Sequence, residues 1–242
     1  MSTEEFILNV SGIRVEVVRK AIKNLHLAVY PPKGRVRVAA PEVMSNDAVR
    51  LAVIDKLGWI KRQQASFEKQ PRQSEREMVT GETHFLFGRR YRLRKIAREG
   101  RIQVEQSGNA TIRLYAPTTA TAAEREAVLS RWYRSKLKAE AEVLFTKWQE
   151  IMGVEQTNWG IRRMKTKWGS CNTGSKRIWL NLELAKKPLE CIEYIVVHEL
   201  AHLIERHHND RFIAIMDKHL PQWRSLRKLL NSAPLKHEDW GY

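Results

Sequence analysis

The chain has no apolar run approaching the roughly 20 residues that a membrane-spanning helix needs. Its first residues, Met1-Ser2-Thr3-Glu4-Glu5, are acidic and lack the basic-then-apolar layout of a secretory signal, so a soluble, cytoplasmic protein is expected. Cysteine is scarce. Cys171 and Cys191 alone make no disulfide framework and fit no zinc-knuckle spacing, so both are expected to be reduced. Cys191 lies in an apolar helical stretch and reads as core packing. Acidic residues are also short: 27 Asp and Glu stand against 43 Lys and Arg, a formal charge of +16. Such an excess favours polyanionic partners, nucleic acid and nucleotides among them, although an undirected basic surface accounts for it equally well. No internal repeat or low-complexity tract is evident, and 242 residues suffice for one large or two small domains.

What is present reads as an α+β chain. Residues 6–10 and 13–19 flank Ser11-Gly12, a two-residue hairpin signal, and residues 25–30 and 35–40 alternate apolar and polar around Pro31-Pro32-Lys33-Gly34. Ser45 or Asn46 caps a helix that carries Val49, Val53, Leu57 and Ile60 at helical spacing. A polar stretch over 69–80 reads as a linker or long loop, and four more strands follow over 83–87, 90–96, 101–106 and 111–115. Thr121 with Glu124 forms a capping box that opens a long helix through about residue 149. The expected division is a β-rich domain with one helix over 1–118 and a second domain over 119–242. In the latter, strands at 159–164 and 177–182 are joined by a turn-rich segment at 167–174. Pro188 then introduces a helix over 192–205, and helices follow at 211–219 and 222–230.

The chemistry concentrates on His198-Glu199-Leu200-Ala201-His202. Residues four apart share one helix face, so His198 and His202 present two imidazoles to a single ion. Glu199 is turned about 100° from His198, poorly placed to ligate but able to reach a water that the ion acidifies. That pattern points to a hydrolase in which Glu199 takes the water's proton and returns it to the leaving group. Zinc, or another divalent transition metal, is the expected cofactor. A catalytic zinc wants a third protein ligand, and His207, His208, Asp210, Asp217 and His219 are candidates. An unbroken helix would carry His208 away from the ion, so the chain must turn after Glu205. The polar cluster His207-His208-Asn209-Asp210 suits such a turn, which brings His208 back and leaves the other candidates open. The His202 to His208 spacing matches the metzincin pattern, but Glu205 stands where that signature requires glycine.

Lys165-Thr166-Lys167-Trp168-Gly169-Ser170-Cys171, the strand 178–182, the stretch 194–203, and the His208 turn with Phe212 together resemble the YgjP-like metallopeptidase-domain family. This family belongs to the zincin superfamily, with SprT- and WLM-like relatives. The resemblance extends weakly over Ala40-Pro41, Trp59-Ile60 and Gly88 with Tyr91. It implies a zincin-like catalytic part, zinc at His198, His202 and His208, and Glu199 as base. His207 and Asn209 depart from the commoner Asn-His-Ser turn.

A substrate-binding role is expected for Arg163, Lys165, Trp168 and Ser170, with the strand at 177–182 as a cleft edge for an extended substrate. Cys171 is not expected to serve as nucleophile or ligand, having no identifiable partner. Three functions follow in order of preference. The first is a zinc metallopeptidase acting on peptides. The second is a zinc-dependent nucleoside triphosphate pyrophosphatase converting UTP to UMP and pyrophosphate, an activity attributed to the family. The third is a nucleic-acid-associated protease or binding module similar to the SprT-like group. No membrane partner is expected.

Overall fold

The computed structural model describes residues 5–30, 34–69, 77–155, 157–164 and 167–232. They form two compact units, one from the described residues up to 69 and the other from 77 onward. The division falls in the polar stretch expected as a linker. The strands after it, which the sequence groups with the N-terminal ones, share a core with the helical part instead.

In the first unit β1 (Glu5–Val10) and β2 (Ile13–Lys20) form a hairpin. Ser11 at φ 48° and Gly12 at φ 79° both take positive values, as a type I′ turn requires. β2 runs parallel to β4 (Arg35–Pro41), which pairs antiparallel with β3 (His26–Tyr30), giving the order β1-β2-β4-β3. Val15, Val17, Val36 and Val38 are buried on this sheet beneath Val49 and Val53 of α1 (Asn46–Asp55) and Ile60 of α2 (Leu57–Lys69). The Ser45 hydroxyl caps α1, accepting from the Ala48 amide at 3.1 Å. The single helix expected through Ile60 is two. At Lys56 the ladder tightens to a bond with the Val53 carbonyl, and Gly58 just beyond has little helix propensity to carry it through.

The second unit repeats that strand plan. β5 (Thr83–Leu86), β6 (Arg89–Ala97), β7 (Gln103–Ser107) and β8 (Thr111–Ala116) lie in the order β5-β6-β8-β7, with the same antiparallel, parallel and antiparallel pairings. Phe87 (φ 49°) and Gly88 (φ 77°) form the matching two-residue turn. Helix α3 (Ala122–Met152) opens on the capping box of Thr121 and Glu124, ends on Gly153 at φ 64°, and buries Leu129, Tyr133, Leu137, Ala141 and Phe145 along one stripe. A third sheet holds β9 (Asn158–Arg162), β10 (Gly169–Asn172) and β11 (Arg177–Asn181) in the order β10-β11-β9. A 3-10 turn at Leu182–Lys186 leads to α4 (Leu189–Ile204), α5 (Asp210–His219) and α6 (Trp223–Ser232). Among the described residues no helix is long and apolar enough to cross a membrane.

The second sheet is fastened to the entrance of α4. The Phe87 amide donates to the Ala185 carbonyl at 2.9 Å and the Gly88 amide to that of Lys186 at 3.3 Å. A methyl group on Gly88 would lie 2.9 Å from Pro188 Cγ and 3.2 Å from its Cα, at the residue that caps α4. Gly153 takes a similar positive φ, but a methyl group there would meet nothing within 4 Å. Gly153→Ala should therefore cost about 1 kcal/mol for the left-handed backbone alone, and Gly88→Ala about 2–4 kcal/mol because overpacking is added. Urea unfolding of the two variants measures the difference, and equal losses would refute the contact.

Candidate metal centre

Helix α4 buries Cys191, Ile192, Ile195, Val196, Val197, Leu200 and Ala201, which fixes its rotation and leaves His198 and His202 together on one face. At Glu205 the backbone turns extended, with φ −137° and ψ 114°, and the helix ends. The Asn209 side chain then caps α5, accepting from the Phe212 amide at 3.0 Å. The turn between them returns His208 to the helix, so that its Nε2 lies 3.2 Å from Nε2 of His198. One ring nitrogen from each of His198, His202 and His208 falls within 4.8 Å of the others. Nitrogens bound roughly 2.0–2.1 Å from a tetrahedral zinc are about 3.3 Å apart, so the cluster is of the right size for one ion. Phe212 packs against all three rings, at centroid distances of 5.1, 4.8 and 4.7 Å.

The protonation states suit ligation. The His202 Nδ1–H donates to the Glu205 carbonyl at 3.3 Å, which leaves Nε2 with its lone pair. Burial, aided by repulsion from the neighbouring imidazoles, pushes His198 down to about 3, and burial also lowers His202. His198 Nδ1 is buried without a hydrogen-bond partner among the described residues. Neutral, crowded imidazoles with converging nitrogens are a donor set for a divalent ion, not for a proton.

Glu199 is 4% exposed, and burial pushes its carboxyl up to about 8 against the opposing pull of Lys167. Its carboxylate rests on the backbone of Gly169 in β10, where a methyl group would come within 2.8 Å of Glu199 Cγ and Cδ. Asn181 holds the approach to that strand. Its amide nitrogen donates to the carbonyls of Met164 and Lys167 at 2.8 Å each, and its oxygen accepts from the Glu183 amide at 3.2 Å.

A cleft of about 700 Å³ lies over the cluster, lined by residues 167–173, by Tyr194, Ile195, His198, Glu199 and His202 of α4, and by Arg206, His208 and part of α6. Trp168 and Ser170 are among the lining residues. Arg163 does not: it donates to Glu126 Oε1 at 2.9 Å and to Ser130 Oγ at 2.6 Å on α3. Lys165 lies outside the described residues. Of the other ligand candidates, Asp217 pairs with Trp223 and Arg224, His219 stands against Trp148, and neither His207 nor Asp210 joins the cluster. The strand at 177–182 is not the cleft edge. β11 is flanked on both sides, and β10, which reads in the sequence as a turn because Gly, Ser and Asn dominate it, is the edge strand. Sequence reasoning also misses Tyr194, Asn181, Arg206 and Arg227. Tyr194 has one available signal, its place one turn before His198, while the others are brought in only by tertiary structure.

The neutral state of His198 has a consequence for the metal-free protein. Its pKa is depressed from 6.5 to about 3, so below pH 6.5 the unfolded chain binds a proton that the folded chain refuses. Stability is therefore lost as pH falls from 6.5 toward 3. Between pH 6 and 5, urea unfolding of the metal-free chain should lose up to ~1.4 kcal/mol per pH unit more than His198→Gln does. Parallel pH dependences would show that His198 is not held neutral.

The family described as YgjP-like, metallopeptidase domain, matches residues 23–233. Among solved structures, the chain is similar to the metallopeptidase zymogen of Pyrococcus abyssi abylysin, at 23% identity and TM-score 0.35 over 37% of this chain and 90% of that one. It is also similar to the zymogen of Methanocaldococcus jannaschii jannalysin, at 19% identity and TM-score 0.34 over 37% and 91%. No curated protein matches. With the match running through residues 23–233, and so through every residue of the histidine cluster and its cleft, the chain belongs to the YgjP-like metallopeptidase domain family.

Proposed function

We propose that this chain hydrolyses peptide bonds, with zinc held by His198, His202 and His208 and with Glu199 as general base. The observation that carries the reading is the convergence of three imidazoles beside a buried carboxyl in one open cleft, on a chain of a metallopeptidase family. A zinc ion bound there supplies Lewis acidity, making an adjacent water more acidic and polarising the scissile carbonyl. Glu199 accepts the proton of the attacking water at a carboxylate oxygen and passes it to the leaving amine. Its burial suits both halves of that task, because a carboxyl raised toward neutrality gains and loses a proton near physiological pH. Gly169 fixes where the carboxylate stands. Among the described residues β10 pairs only with β11, so its other edge presents backbone donors and acceptors along the cleft for an extended peptide to add as a strand. Trp168 and Ser170 line the same cleft and contact the side chains of that peptide.

Glu199→Gln should bind one zinc per chain and lose peptide cleavage by about 10²–10⁴-fold, whereas His202→Ala should lose the metal as well. Metal analysis beside a casein and peptide-library assay reads both, and an active Glu199→Gln enzyme would eliminate Glu199 as the base. Gly169→Ala should keep its zinc and lose at least about tenfold in turnover, since the added methyl displaces the carboxylate from its seat.

A further inference from the structure

Three cations line the cleft, each from a different element. Lys167 stands two residues before β10, Arg206 follows the end of α4, and Arg227 lies on α6. All three are exposed, and among the described residues none forms an ion pair with a carboxylate. Arg163 is matched by Glu126, Lys176 by Glu155, Arg211 by Glu205 at 4.0 Å and Arg224 by Asp217. None of those four paired cations lines the cleft, whereas Lys167, Arg206 and Arg227 do. Glu199 is the only carboxylate among the described residues that line it, and it is buried beneath the cluster. Arg227 is close enough for its charge to act on both Tyr194 and His198, at the heart of the site.

We infer that the cleft selects peptides bearing aspartate or glutamate side chains on both sides of the scissile bond, held by Lys167, Arg206 and Arg227. The inference rests on the peptidase reading of the same site and names its substrate class. A cleft walled by one sign of charge concentrates ligands of the other sign and repels its own. The occupant is a peptide and not a polyphosphate or nucleic acid because the cations share their cleft with an edge strand. Main-chain pairing along β10 is available to an extended polypeptide and to neither of the others. The overall charge of +16 draws any polyanion to the molecule, whereas these three side chains decide which one seats.

The test uses the full-length, zinc-loaded Glu199→Gln protein, which reads binding apart from cleavage. Fluorescein-labelled peptides of one length share an apolar centre flanked by Asp and Glu, by Ala, or by Lys. Fluorescence anisotropy should show the acidic peptide binding about tenfold more tightly than the alanine one, the lysine peptide more weakly than either, and the spread narrowing in 0.5 M salt. Adding Arg206→Glu and Arg227→Glu should reverse the order while zinc content and unfolding temperature stay unchanged. Equal binding of the three peptides, or an order indifferent to the double charge reversal, would overturn the inference. So would displacement of the acidic peptide by UTP or a single-stranded oligonucleotide at concentrations below those of the unlabelled peptide. Wild-type cleavage of the same three peptides separates the two claims. Acidic preference in binding without cleavage refutes the peptidase reading, and cleavage of all three at equal rates refutes the charge selection.

Discussion

A helix whose apolar residues lie buried must here carry three polar groups, and the surroundings of α4 are organised by that demand. Val196, Val197, Leu200 and Ala201 are fully buried around His198, Glu199 and His202. Polar groups in such a position cost stability unless something satisfies or neutralises them. The imidazoles are kept uncharged by burial, and the Glu199 carboxyl is driven toward its neutral form. A divalent ion answers the same demand from the other side, because it favours the deprotonated nitrogens and the carboxylate alike. The features that make the site costly to fold without metal are those that make it a donor set.

Because α4 holds both core and chemistry, its position is tied down at each end. At its start, the Phe87-Gly88 turn is bonded to the 3-10 turn and pressed against Pro188. At its end, Glu205 leaves the helix and Asn209 starts the next, which sets the length of the excursion that returns His208. Along its side, Gly169 lets β10 approach to the distance at which the Glu199 carboxylate rests on backbone. Asn181 then holds Met164 and Lys167 ahead of Gly169, so one buried amide couples β11 to the placement of Glu199.

The histidine pair, Glu199, the two caps and the strands of both large sheets were legible because each depends on residues close in sequence. Spacing of four defines a helix face, Thr121 with Glu124 defines a helix start, and Ser11-Gly12 defines a hairpin. The repeated strand plan was not legible, since Phe87-Gly88 makes the same turn as Ser11-Gly12 with no likeness in side chain at its first position. Nor was β10. Four residues drawn from Gly, Ser, Cys and Asn carry no strand signal, and they are extended because β11 pairs with them from Gly169 to Asn172. Arg163 failed as a cleft residue for a similar reason, since Glu126, 37 positions earlier, claims it through α3. What sequence reads poorly here is whatever a distant segment decides.

The cleft joins a directional element to a non-directional one. β10 offers hydrogen bonds that fix the line and register of a bound chain but say nothing of its side chains. Lys167, Arg206 and Arg227 act through charge, which discriminates between side chains but orients them weakly. Neither alone would place one peptide bond over the histidine cluster. In the proposed peptidase the two would separate the tasks: the strand edge would position a carbonyl, and the cations would determine which sequences remain there long enough to react. Charge on exposed side chains is also the part most readily changed by single substitutions. Selectivity can therefore shift without disturbing the buried helix on which the chemistry depends.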